Sequence, residues 1–229
     1  MNKVLLNHLF PPKEAFSLTP RLRPYKKAPP LTKEEISTAV SKCSPTSAPC
    51  PDGVPYSTWK QVSEIKPSLL LQILSPLVSL GYHPAWLKGT NGIVLDKPGK
   101  RYYESPASFR IIILIRTFSK IVKSIIASRL LLVARSKGQL HPNQCGSLPG
   151  LSTYDAVLTL FNDVKTLQRP RLKVLSLFLD IKAGFDNVDN STLARILSVT
   201  GLFLSNENTI GPAVDLLALV LREASRDRR

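Results

Sequence analysis

VLSLFLD, residues 174–180, decides the fold. Alternation puts Val174, Ser176, Phe178 and Asp180 on one face and Leu175, Leu177 and Leu179 on the other, the composition of a buried strand. The leucines are expected to pack on helices beneath a sheet. Asp180 then emerges at the strand's end on the open face, with Asp186 six residues on. A carboxylate held rigidly at that point can bind Mg²⁺. Taken alone, an Asp that ends a strand reads more often as a turn-former or a helix cap.

Helical signals flank this strand. Upstream, Ser152 or Thr153 caps an amphipathic helix to about Leu167, with Ala156, Leu160, Val164 and Leu167 on one side. Downstream, a helix capped by Asn190 or Ser191 runs toward Val199 and stops at Gly201. Further back, IVLD, KPGKR and SFRIIIL, between Gly92 and Leu114, read as a β-hairpin with basic residues at its tip. Phe118, Ile121, Val122, Ile125, Arg129 and Leu132 then recur at helical spacing up to Gly138. Arg116, Lys120 and Lys123 line another face, which defaults to a solvated stripe and alternatively contacts nucleic acid.

Nearer the start, Thr32 and Glu35 form a capping box for a helix from about Lys33 to Lys42, with Ile36, Ala39 and Val40 as its apolar face. Another helix is predicted from Lys66 to Leu80, kinked at Pro76. Residues 11 to 30 hold six prolines among arginines and lysines, a composition that cannot pack a core. It reads as a basic connector or a terminal arm. Helices mixed with an interrupted set of strands make the fold class α+β.

The 229 residues, 43% hydrophobic, suffice for one large core or two small ones. The formal charge of +15 points to a polyanionic partner, nucleic acid first, against the alternative of a merely soluble basic surface. The charge is uneven. Residues 1–150 carry 21 basic and 7 acidic side chains (net +14), residues 151–229 carry 10 and 9 (net +1). A backbone-gripping region joined to a carboxylate-bearing one would look like this.

Cys43, Cys50 and Cys145 form no C-x-x-C pair and have no histidine cluster at ligand spacing, so neither a disulfide framework nor a zinc site is supported. The first residues are broken too early by Pro11 and Pro12 for a signal peptide, and charges interrupt the most apolar stretch, Arg110 to Ala134. An intracellular place, nucleus or cytoplasm, without a membrane is expected. The oligomeric state is left open.

Several stretches resemble one family in the same order. LFLDIKAGFD, residues 177–186, resembles the first catalytic motif of reverse transcriptases. APCPDGVP, residues 48–55, is similar to the APGPDGIP signature of the non-LTR (LINE-type) retrotransposon enzymes, with Cys50 in place of glycine. GIVLDKPGKR, SFRIIIL and the helix ending ASRL look like that family's finger hairpin and the helix behind it. QCGSLPGLST, residues 144–153, matches its Q-x-G-x-x-P-G-x-S-T frame, with Cys145, Ser147 and Leu148 replacing the commoner aromatic and arginine choices. The resemblance runs from about Leu31 to Leu197.

The resemblance implies right-hand polymerase fingers plus the first part of a palm whose sheet is incomplete. Residues 1–31 become a basic proline-rich connector, 32–150 a fingers-like region, 151–200 the beginning of the palm and 201–229 a divergent tail. It implies RNA and DNA as partners, deoxynucleoside triphosphates as substrates of the complete enzyme, and two-metal nucleotidyl transfer with Mg²⁺. Asp180 would be a catalytic carboxylate and metal ligand, with the Ile181 carbonyl as a second donor. Phe185 falls where the family places an aromatic gate against a ribose 2′-hydroxyl, and Gly184 where backbone approaches the triphosphate. Lys97 and Arg110 match the cations that grip the triphosphate; a solvated loop lysine and a structural ion pair are their plainer roles. Gln144, Gly146, Pro149 and Gly150 would form a template-contacting turn. Asp52 and Gly53 look like turn chemistry.

The family's Q-G-x-x-x-S loop and its Tyr/Phe-x-Asp-Asp hairpin are not found after Asp180. One aspartate cannot hold two divalent ions for an in-line displacement. The chain alone is therefore expected to be an inactive fragment that binds Mg²⁺ weakly. A non-catalytic nucleic-acid-binding module is the alternative, and a chain that never folds stably is a third.

Overall fold

Thr32 and Glu35 close the predicted capping box. In the computed structural model, which describes residues 29–44, 52–80, 83–99, 102–105, 108–168, 173–181 and 188–200, Thr32 Oγ1 accepts from the Glu35 N–H at 3.2 Å and the Glu35 carboxylate accepts from the Thr32 N–H at 3.1 Å. Helix α1 (Lys33–Ser41) follows and buries Ile36, Ala39 and Val40, as its periodicity requires.

Helix α2 (Tyr56–Ile65) was not legible in advance. It is launched by a turn in which Asp52 Oδ1 accepts from the Val54 N–H at 3.2 Å and Gly53 takes φ +67°. Helix α3 (Pro67–Leu80) buries Leu70, Leu74 and Val78, spaced by four. Pro76 lies inside α3 on its exposed side, where water can serve the carbonyl left without a partner.

A short 3-10 turn, Ala85–Leu87, leads into strand β1 (Thr90–Asp96), which pairs antiparallel with β2 (Phe109–Ile115). Helix α4 (Thr117–Ser136) comes directly after. Helices α1, α3 and α4 pack together, with α2 against α1 and α3. The core between them includes Ile36, Leu70, Leu74, Leu87, Ile121 and Ile125. Each such side chain contributes about 1.5–3 kcal/mol of burial before entropy is counted. Helices α5 (Thr153–Gln168) and α6 (Asn190–Val199) complete the described elements. Helices mixed with a small two-stranded sheet make this an α+β fold. Among the described residues no helix is long and apolar enough to cross a membrane.

One ion pair ties distant parts of this core together. Arg129 of α4 donates Nε and Nη2 to the two oxygens of Glu35, both at 2.7 Å, and its remaining donors reach the carbonyls of Pro29 (2.8 Å) and Pro30 (3.1 Å). The bidentate fork carries α1 and the chain entering it onto the long helix.

Four expectations are corrected. Residues 174–180 form no strand, and Leu175, Leu177 and Leu179 are exposed rather than packed, Leu175 at 96%. Strand conformation needs a ladder partner, and among the described residues β1 and β2 pair only with each other. Lys123 is not part of a solvated stripe: it is buried in α4, whereas Leu132 is 70% exposed. Helix α6 is capped by Asp189, whose Oδ2 accepts from the Thr192 N–H at 2.7 Å. Helix α5 starts on the expected Ser152 cap, yet none of its residues is buried.

Candidate functional site

Strand register places two of the predicted site residues together. Leu95 pairs with Arg110 and Asp96 with Phe109, and Lys97 N–H donates to the Ser108 carbonyl at 2.9 Å, extending the ladder one pair past β1. Alternation from these pairs puts Lys97, Leu95 and Ile93 on the same face as Arg110 and Ile112. Lys97 and Arg110 thus stand as diagonal neighbours at one end of a hairpin face. Ile93, Leu95 and Ile112 lie exposed on the same face.

The tip beyond them is held in shape. Gly99 adopts φ +79° in the turn after Pro98. The Tyr103 hydroxyl donates to the Lys97 carbonyl at 2.9 Å and the Ser108 hydroxyl to the Tyr102 carbonyl at 3.1 Å. The Tyr103 ring leans on Phe109 with centroids 6.0 Å apart. These contacts fix the backbone under Lys97.

Gln144, Gly146, Pro149 and Gly150 lie in one loop between α4 and α5, mostly exposed. Gln144 N–H donates to the His141 carbonyl at 3.0 Å, and the Gln144 side-chain amide reaches the Gly146 carbonyl at 3.5 Å. Ser147 and Gly150 both take positive φ, +65° and +81°. The loop ends at Ser152, whose N–H and hydroxyl both donate to Asp155 Oδ2 at 2.6 Å. Those bonds hold the Asp155 carboxyl below the usual range.

Asp180 and Ile181 sit in an exposed stretch without regular structure, and no sheet pairing among the described residues ties them to the hairpin. Gly184 and Phe185 lie outside the described residues. Among the described residues no three His, Cys, Asp or Glu side chains cluster closely enough to hold a metal ion. A lone exposed carboxylate and one carbonyl do not make the six-oxygen octahedron that Mg²⁺ demands.

A family model described as reverse transcriptase (RNA-dependent DNA polymerase) matches residues 95–207, from the end of β1 past α6. A putative 115 kDa protein in the type-1 retrotransposable element R1DM of Drosophila melanogaster is 28% identical over 197 residues, covering 85% of this chain and 18% of the relative. A probable RNA-directed DNA polymerase from transposon X-element of the same organism is 28% identical over 160 residues, 69% of this chain and 17% of the relative. The RNA-directed DNA polymerase from mobile element jockey of Drosophila funebris is 26% identical over 161 residues, 70% and 18%. Over these stretches the chain is similar to the reverse transcriptases of non-LTR retrotransposons. It spans about one fifth of the length of the curated relatives it matches.

The DGVP stretch, residues 52–55, has a mechanical task that its sequence did not disclose. The Thr117 hydroxyl, fully buried at the start of α4, donates to the Val54 carbonyl at 3.0 Å and accepts the Trp59 indole N–H at 2.8 Å. Trp59 also packs on Phe118, centroids 4.9 Å apart. The turn is thereby fastened to the junction where β2 becomes α4, which aims the hairpin. A Trp and a Thr 58 residues apart give no local signal of this.

His83 was also missed. It is buried, its Nε2 has no hydrogen-bond partner among the described residues, and its pKa is lowered to about 4 by burial and by the nearby charges of Lys88 and Lys123. A neutral imidazole locked under the 3-10 turn is a packing element.

Proposed function

We propose that this chain is the fingers and the opening of the palm of a retrotransposon reverse transcriptase, and that alone it binds nucleic acid without copying it. Residues 1–31 act as a basic connector, 32–150 as fingers, 151–200 as the start of the palm and 201–229 as a divergent tail. The whole enzyme uses RNA and DNA strands and deoxynucleoside triphosphates inside the cell, in nucleus or cytoplasm. The observation that supports this most is the convergence of Lys97 and Arg110 on one hairpin face, in a chain whose family motifs come in order.

In this reading Lys97 meets triphosphate oxygens as a compact point charge and Arg110 as a planar fork. Gly184 and Phe185 would lie against the nucleotide's phosphates and sugar, and the 144–150 loop along the template. Asp180, with the Ile181 carbonyl, would be one part of a metal seat whose Mg²⁺ ions activate the primer oxygen and steady pyrophosphate. The described residues do not complete that seat, and the sequence after Asp180 carries no Asp-Asp pair.

Primer extension with the purified chain, Mg²⁺ and deoxynucleotides is expected to give no incorporation above background. Synthesis that disappears in Asp180→Asn would overturn the inactivity. The second reading, a non-catalytic nucleic-acid-binding module, is favoured by the net +14 on residues 1–150. Both readings require affinity for RNA or DNA that falls steeply with salt, through counterion release. Undetectable or salt-independent binding removes both.

A further inference from the structure

At the end of the hairpin opposite Lys97, a tryptophan is presented to solvent beside an arginine. Trp86 is 56% exposed, although its neighbour Leu87 is 1% exposed and its 3-10 turn is pinned to α4 by the Ser119 hydroxyl, which donates to the Leu87 carbonyl at 2.9 Å in a buried setting. The turn is therefore rigid, and it throws its largest side chain outward. The Arg116 guanidinium stands over the Trp86 ring, 6.0 Å from its centroid, and Phe118 stacks with the same ring at 6.3 Å and 26°.

Arg116 is weakly engaged for a half-buried cation. Its closest carboxylate, Asp52, is 4.0 Å away, beyond hydrogen-bond length, and its Nε is buried with no acceptor among the described residues. Lys120, one turn further along α4, lies over the Tyr56 ring at 6.0 Å, and Lys88 follows the 3-10 turn directly. Three cations thus gather about the start of a 20-residue helix whose first turn has no acidic residue. Positive side chains at the positive end of a helix oppose its dipole, a cost that an anion nearby would relieve.

We propose that Trp86 and Arg116, with Lys88 and Lys120, form a second contact for single-stranded nucleic acid, a base stacking on the indole while the cations take its phosphates. The proposal rests on the nucleic-acid reading above and adds a site to it, since Arg116 lies six residues, about 20 Å of strand, from Arg110. Aromatic platforms flanked by cations suit unpaired strands because every base has a π-face, whereas a duplex hides its bases. The two ends of the hairpin would then hold one strand across several nucleotides.

The test is anisotropy of labelled oligo(U), oligo(dT) and a duplex of equal length on the whole chain across a salt series, with photo-crosslinking to the oligo(dT). Trp86→Leu is expected to weaken single-strand binding roughly 5- to 150-fold. Trp86→Phe keeps a stacking ring and should recover most of that loss. Arg116→Gln should lower the salt slope by about one. The crosslinked peptide from the unaltered chain should contain Trp86, which decides the matter even if Trp86→Leu fails to fold. Unchanged binding by a folded Trp86→Leu, a crosslink confined to other peptides, or preference for duplex each overturns the proposal. If Lys97→Ala with Arg110→Ala abolishes binding while Trp86→Leu leaves it unchanged, this site falls and the broader reading stands. If the unaltered chain binds no nucleic acid, both fall.

Discussion

Replacing Arg129 with methionine removes a guanidinium that makes four hydrogen bonds and keeps most of its apolar stem. Two of the bonds go to the Glu35 carboxylate and two to the Pro29 and Pro30 carbonyls. Hydrogen bonds to charged groups contribute about 1.5–3 kcal/mol each when one partner is deleted. The four do not simply add. The Glu35 side chain is 33% exposed and can rehydrate, and it keeps its capping bond to Thr32. We expect a net loss of about 3 kcal/mol, the lower end for breaking a buried pair. In a chain of this length that lowers Tm by about 6–12 °C.

Urea unfolding followed by circular dichroism, with an unchanged m-value, is the measurement. Glu35→Gln preserves the capping box and removes only the charge, so it should cost less, about 1–2 kcal/mol. The double variant should be less damaging than the sum by about 1–3 kcal/mol. Acid adds a second signature. Hydrogen bonds from Arg129 hold the Glu35 carboxyl below its ordinary value of 4.5. The pair therefore stabilises fully above about pH 4.5 and is lost as pH falls through the lower folded pKa. Arg129→Met should lack that acid limb. A variant within 0.5 kcal/mol of the parent, or strictly additive losses, would refute the reasoning.

His83 supplies a second pH effect. Its folded pKa, about 4, lies below the ordinary 6.5, so the unfolded chain binds the extra proton first and stability declines as pH falls from about 6.5 toward 4. His83→Gln should flatten that decline, and a slope unchanged in the variant would contradict the buried neutral imidazole. Leu177→Lys tests the fate of the predicted strand: because Leu177 is 79% exposed, stability should change by no more than about 0.5 kcal/mol, and a loss above about 3 kcal/mol would place that leucine in a core.

Local signals were legible where the responsible groups are near in sequence. The capping box at Thr32 and Glu35, the helix at Pro67–Leu80, the α4 periodicity, the Ser152 cap and the β1–β2 hairpin all rest on partners within a few residues or across a short turn. Long-range partners left no such trace. Periodicity in α4 could mark Lys123 and Leu132 only by face, so it assigned the lysine to solvent and the leucine to the core, the reverse of their burial. For Asp180 the motif is plain, but a strand is a property of two segments, and VLSLFLD has no described partner.

By itself the sequence determined the resemblance to one family, through four motifs in order, and the existence of a hairpin before the long helix, whereas the register that sets Lys97 and Arg110 on a shared face came from the strand pairing. Only the tertiary structure decided that Arg129 clasps Glu35, that Thr117 fastens the DGVP turn and that Trp86 stands out beside Arg116. Those contacts join residues 30 to 94 positions apart. Their partners are chosen by how helices pack, which local pattern does not encode.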